Sequence, residues 1–523
     1  MVLVPHKSPR RSNSDGLQFD GFGTHHKKID GYDKVIGRAQ FGADFTAPGS
    51  LFAKIIRSPH AHAKIKNIDT SKAEKIAGVI AVCTAADFPA DISGDLDTGE
   101  VDIGIKFLAN LMMARRKVLF EGHPVAAIAA TNIHIAAEAA KKIEVQYEIL
   151  EPVTDPIEAM SSSAPLIHEG LISRSLSGTD DKPSNIASHM EVGRGDVEKG
   201  FSESDVVIEK TFRTSIVHQG YIEPEAETAY WGADDRLEIW ANTQGSFAVR
   251  GNLANLLKID PGRITVTPLE VGGAFGAKTI PRVTPIAAIL SKKSGRPVKI
   301  VLNREEVMKA TGPGAGAVLT VKMGATKKGK LKAAQARLVY GAGAFPGAPI
   351  MRGVQTVFAC YQPEHSRIDG YDVVTNTPRV AAYRAPGATV TSFCTEQVLD
   401  EIARFIDMDP IEFRIKNASK TGDANVDDEV YTRLGIVGML EAAKSHSKWT
   451  QSIKKSKKGW PTGRGIGIGW WPCGVEVSSS RIEVQQDGHV ILTTGSVDLS
   501  GVRTGFAQLA AETLGVNVNE ISI

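Results

Sequence analysis

A glycine-rich turn follows a predicted β-strand near the middle of the chain. Residues 264–267 alternate as Ile-Thr-Val-Thr, and residues 271–279 then read Val-Gly-Gly-Ala-Phe-Gly-Ala-Lys-Thr. The three glycines let the backbone N–H groups of such a turn approach a bulky anionic group closely. The turn almost matches a P-loop, but that motif needs Gly directly before its Lys-Thr pair, where this chain has Ala277. We therefore expect a backbone cradle for a ligand other than a nucleoside triphosphate.

The composition excludes several classes of protein. With 523 residues, the chain is long enough for more than one domain. Its formal net charge of +2 provides no field that would attract nucleic acid, so no nucleic-acid partner is expected. No apolar run approaches the length of a membrane span, so no membrane association is expected. No hydrophobic segment follows Arg10-Arg11, so export is not predicted.

The four cysteines, at positions 83, 360, 394 and 473, have no CxxC spacing. This spacing argues against a zinc ribbon, an iron–sulfur cluster or a disulfide framework within the chain. Because isolated thiols suit a reducing compartment, a cytoplasmic location is predicted.

Changes of pattern divide the first part of the chain into three segments. Residues 1–33 are polar and predict a loosely attached N-terminal tail. Residues 34–152 alternate strand-like and helix-like runs, and near their end Asn132 is placed to cap a helix that precedes a half-buried strand. Residues 153–205 are rich in Ser, Asp, Pro and Gly, which predicts a long connecting segment.

The second part mixes strands with helices. Residues 206–450 contain a predicted helix from about Thr391 to Asp407 and a second one that begins at Asp409-Pro410. Residues 451–523 open a last unit with a hairpin around Asp487-Gly488. The final residues resemble the start of a strand, so we expect this last unit to be incomplete. The predicted fold class is α+β.

Four sets of motifs, in the same order, resemble the molybdenum-binding large subunit of the xanthine dehydrogenase/aldehyde oxidase family of molybdenum hydroxylases. Each set alone is weak, but together they cover most of the chain after residue 34. The sets are residues 35–61 with 121–126, Thr243-Gln244 with the glycine-rich turn, residues 382–387 with Glu396 and 412–417, and residues 463–467 with Ser479, Asp487-Gly488 and Gly495.

The resemblance implies an α/β hammerhead domain in residues 34–152, followed by mixed α/β molybdopterin-binding domains in residues 206–450 and 451–523. It also implies a molybdenum-bearing molybdopterin cofactor, in the cytosine dinucleotide form that is usual in bacterial members. The implied reaction hydroxylates an aldehyde or N-heteroaromatic carbon of a small molecule, with water as the oxygen source. Electrons would then pass to a small 2Fe-2S subunit and a medium FAD subunit, because this chain has neither a cluster framework nor a flavin motif.

Four residues match cofactor-contacting positions of the family. Gln244 matches a glutamine that hydrogen-bonds an oxo ligand of molybdenum, a role that suits a neutral amide donor. The backbone of Phe275 and Gly276 matches the segment that faces the metal centre. Arg414 matches an arginine that contacts the cofactor through its fork of donors. The plainer alternatives are a surface Gln, an ordinary turn and a structural Arg in a helix.

Two residues match substrate positions. Arg384 matches an arginine that stabilises developing negative charge on the substrate in some members. Thr279 stands where xanthine-oxidising members carry a purine-binding Glu, so purine hydroxylation is not expected. Ala385 replaces the copper-binding Cys of carbon monoxide dehydrogenases, so that activity is not expected either. Glu223 and Lys278 match family positions that we interpret as architectural.

The resemblance is incomplete towards the C-terminus. Leu499-Ser500-Gly501 stands where the family often has Gly-Gln-Gly, which alters one expected cofactor contact. The family's general-base Glu, in a Gly-Glu motif, is not found in these residues, so no catalytic residue is named. An alternative hypothesis is a non-catalytic homologue that keeps the fold as a binding or assembly scaffold.

Overall fold

A computed structural model describes residues 25–90, 95–96, 103–175, 178–453, 458–472 and 478–523. Most of the predicted N-terminal tail lies outside these ranges, as does Cys473. The other three cysteines are buried free thiols. None of the helices in the described ranges combines the length and apolarity that a membrane span requires.

The first large sheet has seven strands and combines segments from two of the predicted domains. In spatial order the strands are Ile264–Pro268, Leu237–Ala241, Ala226–Trp231, Val298–Val301, Leu51–Arg57, Pro124–Ala130 and Val79–Thr84. Residues 51–53 pair in parallel with residues 298–300 and join the two halves. Pro124–Ala130 is buried along its whole length, so this sheet must be covered on both faces. The boundary predicted after residue 152 therefore separates segments of sequence that share one sheet.

The second large sheet also has seven strands. In spatial order they are Gly178–Pro183, Ile172–Ser175, Ile186–Arg194, His365–Val374, Leu331–Gly343, Ala317–Ala325 and Val206–Thr214. The prediction of a long connecting segment over residues 153–205 is therefore wrong, since three of these strands lie within it. The polar composition concealed them because Ile186–Arg194 is only partly buried and is ordered by antiparallel pairing with His365–Val374, far along the chain.

Smaller sheets and helices complete the fold. In the small sheets, Ala63–Asp69 pairs with both Lys117–Val118 and Glu144–Ile149, Val490–Thr494 pairs with both Ser480–Val484 and Ile521–Ser522, and Asp95–Leu96 pairs with Ile103–Gly104. The α-helices are Gly31–Val35, Ser71–Glu74, Ile105–Met112, Ile133–Ala140, Pro156–Ala159, Val197–Ser202, Ser246–Leu257, Thr284–Ser294, Arg304–Ala310, Ile350–Thr356, Ala388–Phe405, Pro410–Asn417, Ile436–Ser445, Ser447–Thr450 and Val502–Leu514. Short 3₁₀ turns cover Ala85–Asp87, Pro261–Arg263, Ala277–Thr279 and Val518–Glu520.

Each large sheet carries one dominant helix. Thr284–Ser294 packs on the first sheet and ends at Gly295, whose φ of 65° is left-handed, as expected of a helix C-cap. Ala388–Phe405 packs on the second sheet against strands Ala317–Ala325 and Val206–Thr214. The mixture of sheets and packed helices confirms the predicted α+β class.

Several local predictions are confirmed. Asn132 caps its helix by accepting the N–H of Ile135 at 2.9 Å. Gly488 has a φ of 87° in the turn of the C-terminal hairpin. The helix predicted to begin at Asp409-Pro410 does so, and the Asp409 side chain accepts two backbone N–H groups at its start.

Glu227 is a buried carboxyl in the first sheet. It lies on strand Ala226–Trp231 and accepts a hydrogen bond from the hydroxyl of Thr284 at the start of the dominant helix. Burial, followed by the negative charge of nearby Glu225, raises the pKa of Glu227 to about 8. The folded protein therefore holds this side chain neutral at physiological pH.

This raised pKa predicts a pH-dependent stability. In the unfolded chain Glu227 ionises near pH ~4.3. Its contribution to stability is thus complete below that pH and is lost as the pH rises to about 8. Between pH 5 and pH 8, we expect wild type to lose about 1 kcal/mol per pH unit relative to Glu227→Gln, measured as the free energy of unfolding. Glu238→Gln, on the exposed face of the neighbouring strand, should show no such trend, and a constant gap for Glu227→Gln would contradict the prediction.

Candidate functional site

Two loops meet at the edge of the first sheet. The first, residues 271–279, is called the glycine loop, and the second, residues 381–387, is called the arginine loop. The backbone N–H of Arg384 donates to the carbonyl of Phe275 at 3.0 Å. A Cβ atom on Gly276 would lie only 2.7 Å from the carbonyl oxygen of Ala382. Only glycine therefore allows the two loops to pack this closely.

Both loops contain residues with left-handed backbone conformations. In the glycine loop, φ is 54° at Phe275 and 105° at Gly276. In the arginine loop, φ is 60° at Ala385 and 82° at Gly387. Phe275 and Ala385 are not glycines, so the surrounding structure must compensate for their strain, a feature that is common at ligand-binding sites. The side chain of Phe275 is nevertheless 46% exposed.

The side chain of Gln244 is oriented by the glycine loop. Its Oε1 accepts the backbone N–H groups of Gly276 at 2.9 Å and Lys278 at 3.3 Å. Its own N–H donates to the carbonyl of Lys278 at 2.9 Å, and the Thr243 hydroxyl donates to the same carbonyl. No acceptor within the described ranges bonds the Gln244 Nε2 group. The loop therefore holds the amide so that a neutral donor stays available.

The structure brings together five of the six predicted site residues. Thr279 donates to the carbonyl of Gly276 at 3.3 Å and closes the end of the glycine loop. Arg384 has an exposed side chain, although its backbone is bonded to Phe275. Gln244, Phe275 and Gly276 complete the set. The arrangement offers a backbone surface, one free amide donor and one exposed cation.

Arg414 occupies a different place. Its guanidinium is fully buried and pairs with Glu396 at 2.8 Å and Asp400 at 2.7 Å. It also donates to the carbonyls of Glu396, Pro410 and Ile466. These bonds tie helix Pro410–Asn417 to helix Ala388–Phe405 and to the chain near residue 466. The packing gives Arg414 a structural role, and its contact with a cofactor stays a prediction that this packing does not favour.

A buried ion pair lies behind the glycine loop. The Lys278 Nζ is 2.8 Å from Glu223 Oε2, with side chains only 2% and 8% exposed. Glu223 also accepts the backbone N–H of Gly272 at 2.7 Å and of Gly42 at 3.1 Å. The pair therefore connects both ends of the loop to the segment that precedes the first strand.

A second buried polar group lies next to this pair. Tyr221 donates its hydroxyl hydrogen to Glu225, and burial is the main cause of the raised pKa of Glu225. Burial lowers the pKa of Arg282. Its Nε has no hydrogen-bond partner in the described ranges. This group was not predicted from the sequence. The available signal was the acidic residues at 223, 225 and 227, because alternate positions on an extended chain face the same side.

The loops contain no cluster of direct metal ligands. Within the described residues, His189, Glu191 and Asp369 place their possible ligand atoms within 4.8 Å of one another. They lie on two strands of the second sheet, and Arg367 is already 3.2 Å from each carboxylate. An ion-pair network accounts for this set. A metal at the two loops would therefore be held through an organic cofactor, which fits a backbone cradle with one free donor.

The close packing of the loops predicts a large effect of Gly276→Ala. A new Cβ would strain a left-handed residue and also collide with Ala382, so we expect a cost of about 2–4 kcal/mol in the free energy of unfolding. Gly295→Ala is the matched control, because Gly295 is also left-handed but has nothing within 4 Å of a new Cβ. That change should cost about 1 kcal/mol. Equal losses in the two variants would contradict the steric argument.

Models of three domain families match most of the chain. The aldehyde oxidase and xanthine dehydrogenase a/b hammerhead domain matches residues 36–151. Two models of a molybdopterin cofactor-binding domain match residues 179–418 and 440–523. The glycine and arginine loops both fall within the first of these cofactor-binding regions.

Individual relatives agree with the domain models. The xanthine dehydrogenase molybdenum-binding subunit of Escherichia coli is 28% identical over 95% of this chain and 66% of its own length. The nicotinate dehydrogenase large molybdopterin subunit of Eubacterium barkeri is 29% identical over 84% of this chain and all of its own length. The aldehyde oxidoreductase of Desulfovibrio gigas is 25% identical, with a TM-score of 0.85 over 98% of this chain and 57% of that one.

The chain spans 66% of the Escherichia coli relative and 57% of the aldehyde oxidoreductase structure. Within that span, the hammerhead domain, the cofactor-binding regions and the overall fold all agree with the resemblance in the motifs. The chain belongs to the xanthine dehydrogenase/aldehyde oxidase family of molybdenum hydroxylases, as a molybdopterin-binding large-subunit chain.

Proposed function

We propose that this chain binds a molybdopterin cofactor against the glycine and arginine loops, as part of an enzyme that hydroxylates an aldehyde or N-heteroaromatic carbon. The observation that carries the proposal is the Gln244 amide. The glycine loop bonds its oxygen twice and leaves its Nε2 free. A fixed neutral donor beside an open backbone surface suits an oxo ligand, because it stabilises the oxygen without adding charge at the metal.

Each loop residue then has a distinct part in holding the cofactor. Gln244 donates to it, and the backbone at Phe275 and Gly276 forms the surface against which it rests. When bound, the molybdenum–pterin group supplies the two-electron oxidation, with water as the source of oxygen. The family membership supports the molybdopterin itself, and we extend the proposal to its cytosine dinucleotide form.

Arg384 is proposed to face the substrate. Its exposed guanidinium stands on a loop whose backbone is anchored to Phe275, so the cation stays near the reacting region. A cation in that position favours substrates that carry or develop negative charge. Thr279 gives its hydroxyl to the loop carbonyl and offers no carboxylate to a purine. A small or medium aldehyde or a heteroaromatic acid is therefore the proposed substrate class.

The proposed partners are a small 2Fe-2S subunit and a medium FAD subunit, which would accept the electrons. Two relatives are themselves described as subunits, one of xanthine dehydrogenase and one of nicotinate dehydrogenase. The cytoplasmic location stays a prediction.

The deciding experiment measures molybdenum and cytidine monophosphate in the purified protein. The protein should be produced with its full reading frame and neighbouring genes, in a host that loads a known family member. The proposal expects nearly stoichiometric amounts of both, followed by oxidation of an aldehyde or an N-heterocycle. Absence of both, from a host that loads the known enzyme, would leave a fold retained as a binding or assembly scaffold.

Gln244→Glu tests the amide donor directly. The substitution keeps an oxygen acceptor for the N–H groups of Gly276 and Lys278 but replaces the free donor by an anion. We expect turnover of the loaded enzyme to fall by about 10²-fold with a nearly unchanged melting temperature. Gln397→Glu, on the exposed face of helix Ala388–Phe405, is the control and should leave turnover unchanged. Full activity of Gln244→Glu would remove Gln244 from the proposed site.

A further inference from the structure

We infer that Lys278 and Glu223 are positioning residues, which set the direction of the Gln244 amide through the end of the glycine loop. The retention of the cofactor would then depend on an ion pair that does not touch it. The part of this inference that concerns the cofactor rests on the proposed function. The part that concerns the loop rests on the hydrogen bonds alone and is tested separately.

The backbone of Lys278 binds Gln244 from both directions. Its N–H donates to Gln244 Oε1 at 3.3 Å, and its carbonyl accepts the N–H of Gln244 at 2.9 Å. Any displacement of Lys278 therefore changes the orientation of the Gln244 amide. The non-helical backbone of Lys278 inside the turn Ala277–Thr279, with φ of −92° and ψ of 37°, is not the conformation that the turn alone would impose.

The side chain of Lys278 explains what holds that backbone in place. It points away from the loop surface and into the protein, where its Nζ reaches Glu223. The Nζ atom also lies 4.9 Å from the ring centroid of Tyr221, a distance at which a cation is attracted to an aromatic face. The side chain therefore anchors the end of the glycine loop from behind.

Glu223 anchors the start of the same loop. One of its oxygens accepts both the Gly272 N–H and the Lys278 ammonium, and the other accepts the Gly42 N–H. Its own N–H donates to the carbonyl of Gly272 at 3.2 Å. A Cβ on Gly272 would lie 2.6 Å from the Cβ of Glu223, so the glycine is required for this contact. A single carboxylate thus sets the spacing between the first and last turns of the loop.

Burial makes the pair sensitive to the loss of either partner. Desolvation lowers the pKa of Lys278, while the charge and the hydrogen bond of Glu223 oppose that shift. Removing one charge leaves the other buried without compensation, whereas removing both leaves no uncompensated charge. The comparison of single and double variants therefore separates a cost in stability from a loss of loop geometry.

The test uses Lys278→Met, Glu223→Gln and the double variant, with Lys299→Met as the matched control. Lys299 is also a buried lysine, but its Nζ bonds Ala43 and Thr46 outside the glycine loop. The first measurement is amide hydrogen exchange over residues 272–279. We expect faster exchange at Gly276 and Lys278 in each single variant and in the double variant, and no change in the control.

The second measurement is the content of molybdenum and cytidine monophosphate, compared with the melting temperature. We expect the cofactor content of Lys278→Met to be lower than that of wild type by about tenfold or more. The double variant should regain melting temperature without regaining cofactor, while Lys299→Met loses melting temperature and keeps its cofactor.

Unchanged exchange over residues 272–279 in Lys278→Met would overturn the inference, whatever the cofactor content. The inference would also be overturned if the loss of cofactor were strictly proportional to the decrease in melting temperature across all four variants. The ion pair would then be merely structural. Wild-type protein without cofactor would instead refute the proposed function, and the exchange data would still decide whether the pair positions the loop.

Discussion

The parallel pairing of residues 51–53 with residues 298–300 is the contact on which the rest of the molecule depends. It joins the hammerhead segment and the first cofactor-binding segment into one buried sheet, so neither half has a core of its own on that side. It also brings the chain that precedes strand Leu51–Arg57 against the back of the glycine loop. Gly42 can donate to Glu223 only because of this arrangement. Support for the site therefore comes from a part of the chain that lies 181 residues before Glu223.

The site separates neutral groups from charged ones. Towards the open side, the loops present backbone and the Gln244 amide, which can approach an oxo group without changing the charge at a metal. Behind the loops, the charges of Lys278, Glu223, Glu225 and Arg282 are buried in a medium of low dielectric, where charge pairs are strongly coupled. The buried Lys278–Glu223 ion pair thus holds the surface of the glycine loop in place from behind. In other binding sites too, residues that do not touch the bound group orient the residues that do.

Local signals predicted local structure well. The helix cap at Asn132 and the hairpin turn at Gly488 could both be predicted, because each depends on a few neighbouring residues. The prediction was wrong where a strand pairs with a segment that is distant in the sequence. Strand Ile186–Arg194 is stabilised mainly by pairing with His365–Val374, so its polar sequence resembled a connection. The sequence identified Arg414 as a possible hydrogen-bond donor to a cofactor. Only the fold shows that its guanidinium is already paired with Glu396 and Asp400.

By itself, the sequence determined the α+β class, the family and the residues that line the two loops, because motifs and periodicity are properties of short segments. The tertiary structure alone decided that these loops are in contact, that Gly276 rests on Ala382, and that the Gln244 amide has one free side. It also decided that Lys278 points inward to Glu223 rather than outward to a ligand. The physical reason is that burial and hydrogen-bond partners are set by which distant segments meet. A lysine in a glycine-rich turn has the same local sequence whether it faces a phosphate or a buried carboxylate.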